Sequence, residues 1–320
     1  MRKLLLAGLA MLLSMPATLA LAQSWPSRPI KFVISFGPGS ASDAVARILA
    51  RDLTSSLGQP VVVISKPGAD GTISGVEVQR SAPDGYTFLF GTNSALAVAP
   101  NLRKSPPYNV LTDFTPVAFV GLNTLFFVVN PELPVSTMQE LVAYIRANPG
   151  KFNAATGHTY AIVATALFAK QNNLNLASIP YKSEPEAIVD LLSNRVQMMV
   201  ATSTPIYGHA KEKKLRVLAG TTAERNPLWP DVPTMVEAGQ PQHPFEAFFA
   251  IAGPVGLPKE IGERMNQAVT AALAKPDVRE QLQKQGFLGR AMSLEAATAY
   301  IRSQNEIWKT ALKDAHVEPQ

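Results

Sequence analysis

The stretch FGPGSASD (Phe36–Asp43) packs two glycines, two serines and a carboxylate into eight residues. It follows the apolar run PIKFVIS and precedes AVARILARDLTSSLG, where Val45, Ile48, Leu49, Leu53 and Leu57 recur at helical spacing. A strand that feeds a helix through a Gly- and Ser-rich bend can hold a dinucleotide, position a reacting serine or seat a small anion. The dinucleotide fingerprint is incomplete. Ser42 stands where its third glycine belongs, Pro38 fills the tight turn, and the second strand ends at Ser65–Lys66 without an acid for a ribose. No cofactor is expected.

A reacting group fares no better. There is no G-x-S-x-G elbow. His158, His209, His243 and His316 form neither H-E-x-x-H nor an i, i+4 pair. The carboxylate pairs Glu184/Glu186 and Asp231/Glu237 lie beside prolines, at helix starts or in loops, where acids cap. With no nucleophile–base–orienter set legible, an enzyme is not expected.

The anion reading rests on elementary physics. A helix start offers unpaired N–H groups and the positive end of a dipole. Gly37 and Gly39 let a ligand approach the backbone, Ser40 and Ser42 add hydroxyls, and Ala41 between them adds a backbone N–H. Asp43 reads as a first-turn residue or a tie within the bend. The same stretch also reads as an ordinary βα loop with an N-cap. A similar bend, AATGHTYA (Ala154–Ala161), offers Thr156 and Thr159 as donors, with His158 either a site residue or a solvated loop histidine. GTNSA (Gly91–Ala95) and ATSTP (Ala201–Pro205) end strands in small polar residues, which adds Thr92 and Ser203 as candidates.

The elements that must position these bends alternate strand and helix. Residues 30–92 read β-α-β-α-β, a parallel, doubly wound α/β sheet. The pattern restarts near Asn123 and runs to Phe245, with Ser136 and Gln139 read as the capping box of a helix. AFFAIAGP (Ala247–Pro254) is a further strand, followed by three helical stretches. In the last, Leu294, Ala297, Ile301, Ile307, Trp308 and Leu312 are the expected buried positions. A chain that leaves one α/β lobe for a second and returns makes a cleft between them. The lobes are thus residues 23–122 with 247–320, and residues 123–246.

Composition removes other classes. The 320 residues hold no cysteine, so disulfides, thiolate chemistry and Cys-rich zinc sites are out. A net charge of +5, with no basic run longer than KEKK (Lys211–Lys214), does not suggest nucleic acid. Residues 1–22 run from MRK through a long apolar stretch with Pro16 in it to Ala20-Leu21-Ala22, the layout of a cleavable secretory signal.

The chain resembles the tripartite tricarboxylate transporter substrate-receptor family, the Bug-type periplasmic solute receptors. The resemblance runs over nearly the whole chain after residue 22. It is carried by WPSRPIKFVISFGPGSASDAVARILA (Trp25–Ala50), LGQPVVVISKPGADGTISG (Leu57–Gly75), APDGYTFLFGT (Ala82–Thr92), PYNVLTDFTPVAFV (Pro107–Val120), IPYK (Ile179–Lys182), LRVLAGTTAERNPLWPDVPTMVEAG (Leu215–Gly239) and GPVGLP (Gly253–Pro258). It implies a two-lobed type II periplasmic-binding-protein fold that closes on a small carboxylate or amino acid and delivers it to membrane transporter subunits. It also implies that Phe36–Asp43 and Thr156–Ala161, with His158, Thr159 and Tyr160 in the second loop, hold a ligand carboxylate. A monomer in the periplasm is expected. A receptor that presents its ligand to a membrane signalling partner would have the same fold. The chain departs from the family pattern at FGPGS, where F-P-P-G-G is usual. It departs again at TGHTYAIVA, where the usual loop is longer and a histidine would replace Ile162, and at PYKS in place of P-Y-K-G.

The first expectation is export. Intact-mass measurement of the periplasmic protein should give a chain that begins at Gln23. Full-length protein retained in the cytoplasm would overturn it.

Overall fold

The structure is a computed structural model that describes residues 25–317; the expected signal, residues 1–22, lies outside the described residues. Strand β1 (Ile30–Ile34), helix α1 (Ala41–Leu57), β2 (Val61–Ser65), α2 (Thr72–Gln79) and β3 (Thr87–Thr92) form the expected parallel unit. Phe32 lies opposite Phe88, and the stripe Val45, Leu49, Leu53 and Leu57 of α1 is buried. Gly58 ends α1 at φ 70°, a left-handed position that glycine takes without steric cost.

Beyond β3 the chain makes a fully buried π-helical turn, Ser94–Val98. Such a turn leaves carbonyls off the helical ladder, and side chains take them up. Tyr108 Oη donates to Ala95 O (2.8 Å), Asn305 Nδ2 to Leu96 O (2.6 Å) and Asn101 Nδ2 to Ala97 O (2.6 Å). The short helix α3 (Val110–Asp113) then leads into β4 (Phe114–Asn123), which is separated from β5 (Leu125–Val129) by Thr124 alone. The order continues α4 (Met138–Ala147), β6 (Asn153–Thr156), α5 (Thr159–Gln171), β7 (Ala177–Pro180), α6 (Glu184–Leu192), β8 (Met198–Thr202), α7 (Ser203–Lys211) and β9 (Arg216–Gly220). The chain returns through β10 (Phe248–Pro254), α8 (Lys259–Ala274), α9 (Pro276–Gln283), β11 (Phe287–Gly289) and α10 (Leu294–Asp314).

Two sheets result. The first has the order β11-β4-β10-β3-β1-β2 and the second β7-β6-β8-β5-β9. Helices cover both faces, so strands such as LFFVV of β5 are buried at every position rather than alternating. The capping box of α4 is one residue later than the sequence pattern suggests. Thr137 Oγ1 accepts the Glu140 N–H, while the Glu140 carboxylate accepts from Ser136 N. A carboxylate accepts there as an amide oxygen would, and it adds the favourable dipole term. Strand β11, only three residues long and antiparallel to β4, carries no periodicity from which it could be read. In α10, Ala297, Ile301, Trp308 and Leu312 are buried as expected, whereas Leu294 and Ile307 are half-buried.

Where α10 and α5 meet the returning chain, an aromatic cluster fills the core. The Phe245 and Trp308 ring centroids lie 4.1 Å apart, Tyr160 sits edge-on to Trp308 at 5.5 Å, and His243 stacks on Phe245 at 5.1 Å. The imidazole of His243 is almost wholly buried, and burial pushes its pKa down to about 4. The unfolded chain therefore takes up a proton near pH 6.5 that the native state refuses until about pH 4. This stability term is intact above pH 6.5 and is lost progressively as pH falls to about 4. It should cost about 2 kcal/mol between pH 7.5 and pH 5. Denaturant unfolding of the native protein and of His243→Leu at both pH values checks this, because the variant should lack that part of the acid sensitivity.

Candidate functional site

The first bend is built around its own acid. Ser40 is the N-cap of α1, and its Oγ accepts the Asp43 N–H at 3.3 Å. Asp43 Oδ2 reaches back to the Gly39 N–H (3.2 Å), and Oδ1 pairs with Arg47 Nε (2.8 Å). Gly39 is held at φ 82°, with open space where a Cβ would stand. Asp43 is thus a tie within the bend and does not line the cleft. Among the described residues the N–H groups of Ala41 and Ser42 have no protein acceptor, and they lie beside the Ser40 and Ser42 hydroxyls.

The second bend uses a different cap. His158 is the N-cap of α5, and its Nδ1 accepts the Ala161 N–H at 3.2 Å. That bond assigns the proton to Nε2, which lies 3.7 Å from Glu184 Oε1. Glu184 opens α6 and also receives the Thr202 N–H and the Thr202 hydroxyl. Burial acts to raise the Glu184 pKa, but His158 and the Thr202 donors outweigh it and hold the carboxyl below its ordinary value. Gly157 lets these parts meet, since a Cβ there would fall 2.9 Å from Glu184 Cα. The Thr159 and Tyr160 N–H groups have no protein acceptor.

Both bends line one cavity of about 910 Å³ between the sheets. On the first wall are Phe36, Gly37, Gly39, Ser40, Ala41 and Ser42, with Thr92 beside them. Thr156, His158 and Tyr160 stand on the other wall. Two more candidates lie elsewhere. The Thr159 hydroxyl is 2.8 Å from Ser94 Oγ, so it bridges the two sheets instead of facing the space. Ser203 is fully buried, takes the Trp229 indole N–H at 2.7 Å, and packs where a Cβ on Gly286 would come within 2.3 Å. It begins α7 directly after β8, and its neighbour Thr202 lines the cavity in its place.

Sequence reasoning passed over several wall residues. Asn93, within the GTNSA stretch, and Asn123, at the end of β4, line the cavity. Together with Thr92 they place three buried polar atoms there, Thr92 Oγ1, Asn93 Nδ2 and Asn123 Oδ1, with no hydrogen-bond partner. Such orphans are rare in native proteins. The charged wall residues are Asp70, Arg103, Lys182 and Glu184. Among the described residues there is no cluster of His, Asp and Glu able to hold a metal, and no helix long and apolar enough to cross a membrane.

Two α/β sheets with unpaired donors converging on one cavity define the class, a two-lobed solute-binding protein of the periplasmic type. The model of the tripartite tricarboxylate transporter family receptor matches residues 45–316, and the chain belongs to that family. It is 35% identical over 296 residues to protein BugT of Bordetella pertussis, covering 92% of this chain and 91% of that one. Among solved structures it is similar to R. palustris Rpa4515 with adipate, at TM-score 0.87 and 28% identity, covering 92% of this chain and all of that one. It is also similar to MatC from Rhodopseudomonas palustris with bound malate, at TM-score 0.81 and 26% identity, covering 90% and 100%. Its likeness is to solute receptors, not to enzymes.

Gly157→Ala tests the second bend. The added methyl would press on α6 backbone and should lower stability by about 1–3 kcal/mol in denaturant unfolding. Unchanged stability would mean that the bend is not pinned to Glu184.

Proposed function

We propose that this chain captures a small carboxylate or amino acid between two lobes in the periplasm and hands it to membrane transporter subunits. The lobes are residues 23–122 with 247–320, and residues 123–246. The observation that carries the reading is the convergence of unsatisfied polar groups on one cavity. The Ala41 and Ser42 N–H groups, that of Tyr160, and the orphaned side-chain atoms of Thr92, Asn93 and Asn123 belong to residues of its walls. Donors at helix starts suit a charged oxygen, and each hydrogen bond to a charged group contributes about 1.5–3 kcal/mol. The adipate and malate in similar structures support the same chemistry.

Capture requires the lobes to close, and the connections between the sheets are suited to it. Only Thr124 separates β4 from β5, and the return strand runs alongside, with Asn123 N–H donating to Ala247 O at 2.8 Å. Two adjacent extended segments bend with little loss of packing.

Calorimetry against mono- and dicarboxylates, amino acids and their neutral amides tests the proposal, with small-angle scattering to follow compaction. An acid should bind and shrink the particle, while its neutral amide should not. Gly39→Val, which places a branched side chain at a left-handed position facing the opening, should weaken binding at least tenfold. Tight binding of an amide with its acid ignored would refute carboxylate capture.

A further inference from the structure

We propose that Asp70 selects ligands bearing a cationic nitrogen, so that the cleft prefers an amino acid to the same acid without its amine. This rests on the carboxylate capture proposed above and adds the identity of the second group. Asp70 lies in the turn between β2 and α2 at φ 56°, ψ 29°, directly after Ala69 at φ 48°. Two successive non-glycine residues in the left-handed region are unusual. Aspartate tolerates it, alanine poorly. The surroundings impose this conformation. Gly71 (φ 92°) backs onto Ser35 and Ala95, where a Cβ would meet neighbours at 3.0–3.1 Å. Ser35 immediately precedes the Phe36–Asp43 bend, so the turn that carries Asp70 is anchored beside the anion seat.

The side chain is set apart by what it lacks. Two acids line the cavity. Glu184 is occupied by Thr202 and His158. The carboxylate of Asp70 is solvent-exposed and has no hydrogen-bond or ion-pair partner among the described residues. Arg103 donates to Ala69 O at 3.3 Å instead of to Asp70. Asp70 is exposed to solvent on the wall of the cavity, and a carboxylate placed there attracts an ammonium and repels a second carboxylate. Arg103 and Lys182 also line the cavity, and if they govern the second group the preference reverses toward dicarboxylates.

The experiment is calorimetry with matched pairs: glutamate and glutarate, aspartate and succinate, alanine and propionate, and the remaining common amino acids with their des-amino acids. The native protein should bind at least one amino acid ~10–100-fold more tightly than its partner. That advantage should collapse in both Asp70→Asn and Asp70→Gly. Asp70→Gly suits the left-handed backbone, so its melting temperature should not fall, which separates lost selectivity from lost folding. Des-amino acids that bind as well as every amino partner, or an amine advantage that survives both variants, would overturn the proposal. If no acid of any pair binds, carboxylate capture itself fails, and the selectivity with it.

Discussion

The structure hangs on the place where the chain crosses between its sheets. Asn123 N–H donates to Ala247 O, and two residues further on Leu125 O accepts the Thr221 N–H while Leu125 N–H donates to Thr221 Oγ1. Thr124, wholly buried between these bonds, accepts from Asn226 Nδ2 at 2.8 Å, and the same amide also reaches Gly286 O. The crossing is therefore ordered by backbone bonds and by the side chains of Thr124, Thr221 and Asn226. Asn123, Leu125 and Ala247 also form part of the cavity wall. Because β1 and β6 end at the edges facing this crossing, the bends after them open onto a common space.

Charge around that space is distributed so that an anion can enter. Asp43 sits under the first bend with both oxygens engaged, by the Gly39 N–H and by Arg47. Glu184 sits under the second and is likewise satisfied, by Thr202 and His158. An acid at a helix start offsets the dipole that would hold the ligand, and each of these has its own counter-donors. Glu184 also links the site to stability. Its carboxyl is held below the ordinary value, so its contribution is complete above the usual carboxylate range and lost as pH falls through the lowered pKa. Tyr160 couples the same region to the core, because it lines the cavity and packs edge-on against Trp308 and Phe245.

The strands and helices of residues 30–92 were legible because local periodicity and turn residues agree with the final sheet. β1, β2 and β3 pair in parallel as their apolar runs suggest. The bend Phe36–Ser42 was legible as a strand-to-helix connection for the same reason, since its glycines and serines interrupt both periodicities. Ser203 misled because it looks like any strand-ending hydroxyl. Only the packing of β11 and Trp229 shows that it is enclosed. Thr159 misled because its partner, Ser94, lies 65 residues away on the other sheet. Asn93 and Asn123 were not singled out because their significance is a lack of buried partners, and Asp70 because the fold alone brings it to the cavity wall, which only a three-dimensional arrangement can reveal.

The proposed grip by backbone N–H groups would have a consequence for divergence. Substitution of a side chain does not remove a main-chain donor, provided that the bend keeps its shape. The shape needs a few residues, among them Gly39, Ser40, Asp43 and Gly157. The rest of the chain is free to drift, as the 0.87 TM-score at 28% identity illustrates. Such a grip recognises an anionic oxygen and little else, because every small acid presents the same group to it. Discrimination among acids then falls to side chains beyond the bends, and on these walls the charged ones are Asp70, Arg103, Lys182 and Glu184. Glu184 is committed to holding its bend. The balance between Asp70 on one hand and Arg103 with Lys182 on the other is therefore where ligand preference can change without disturbing the fold.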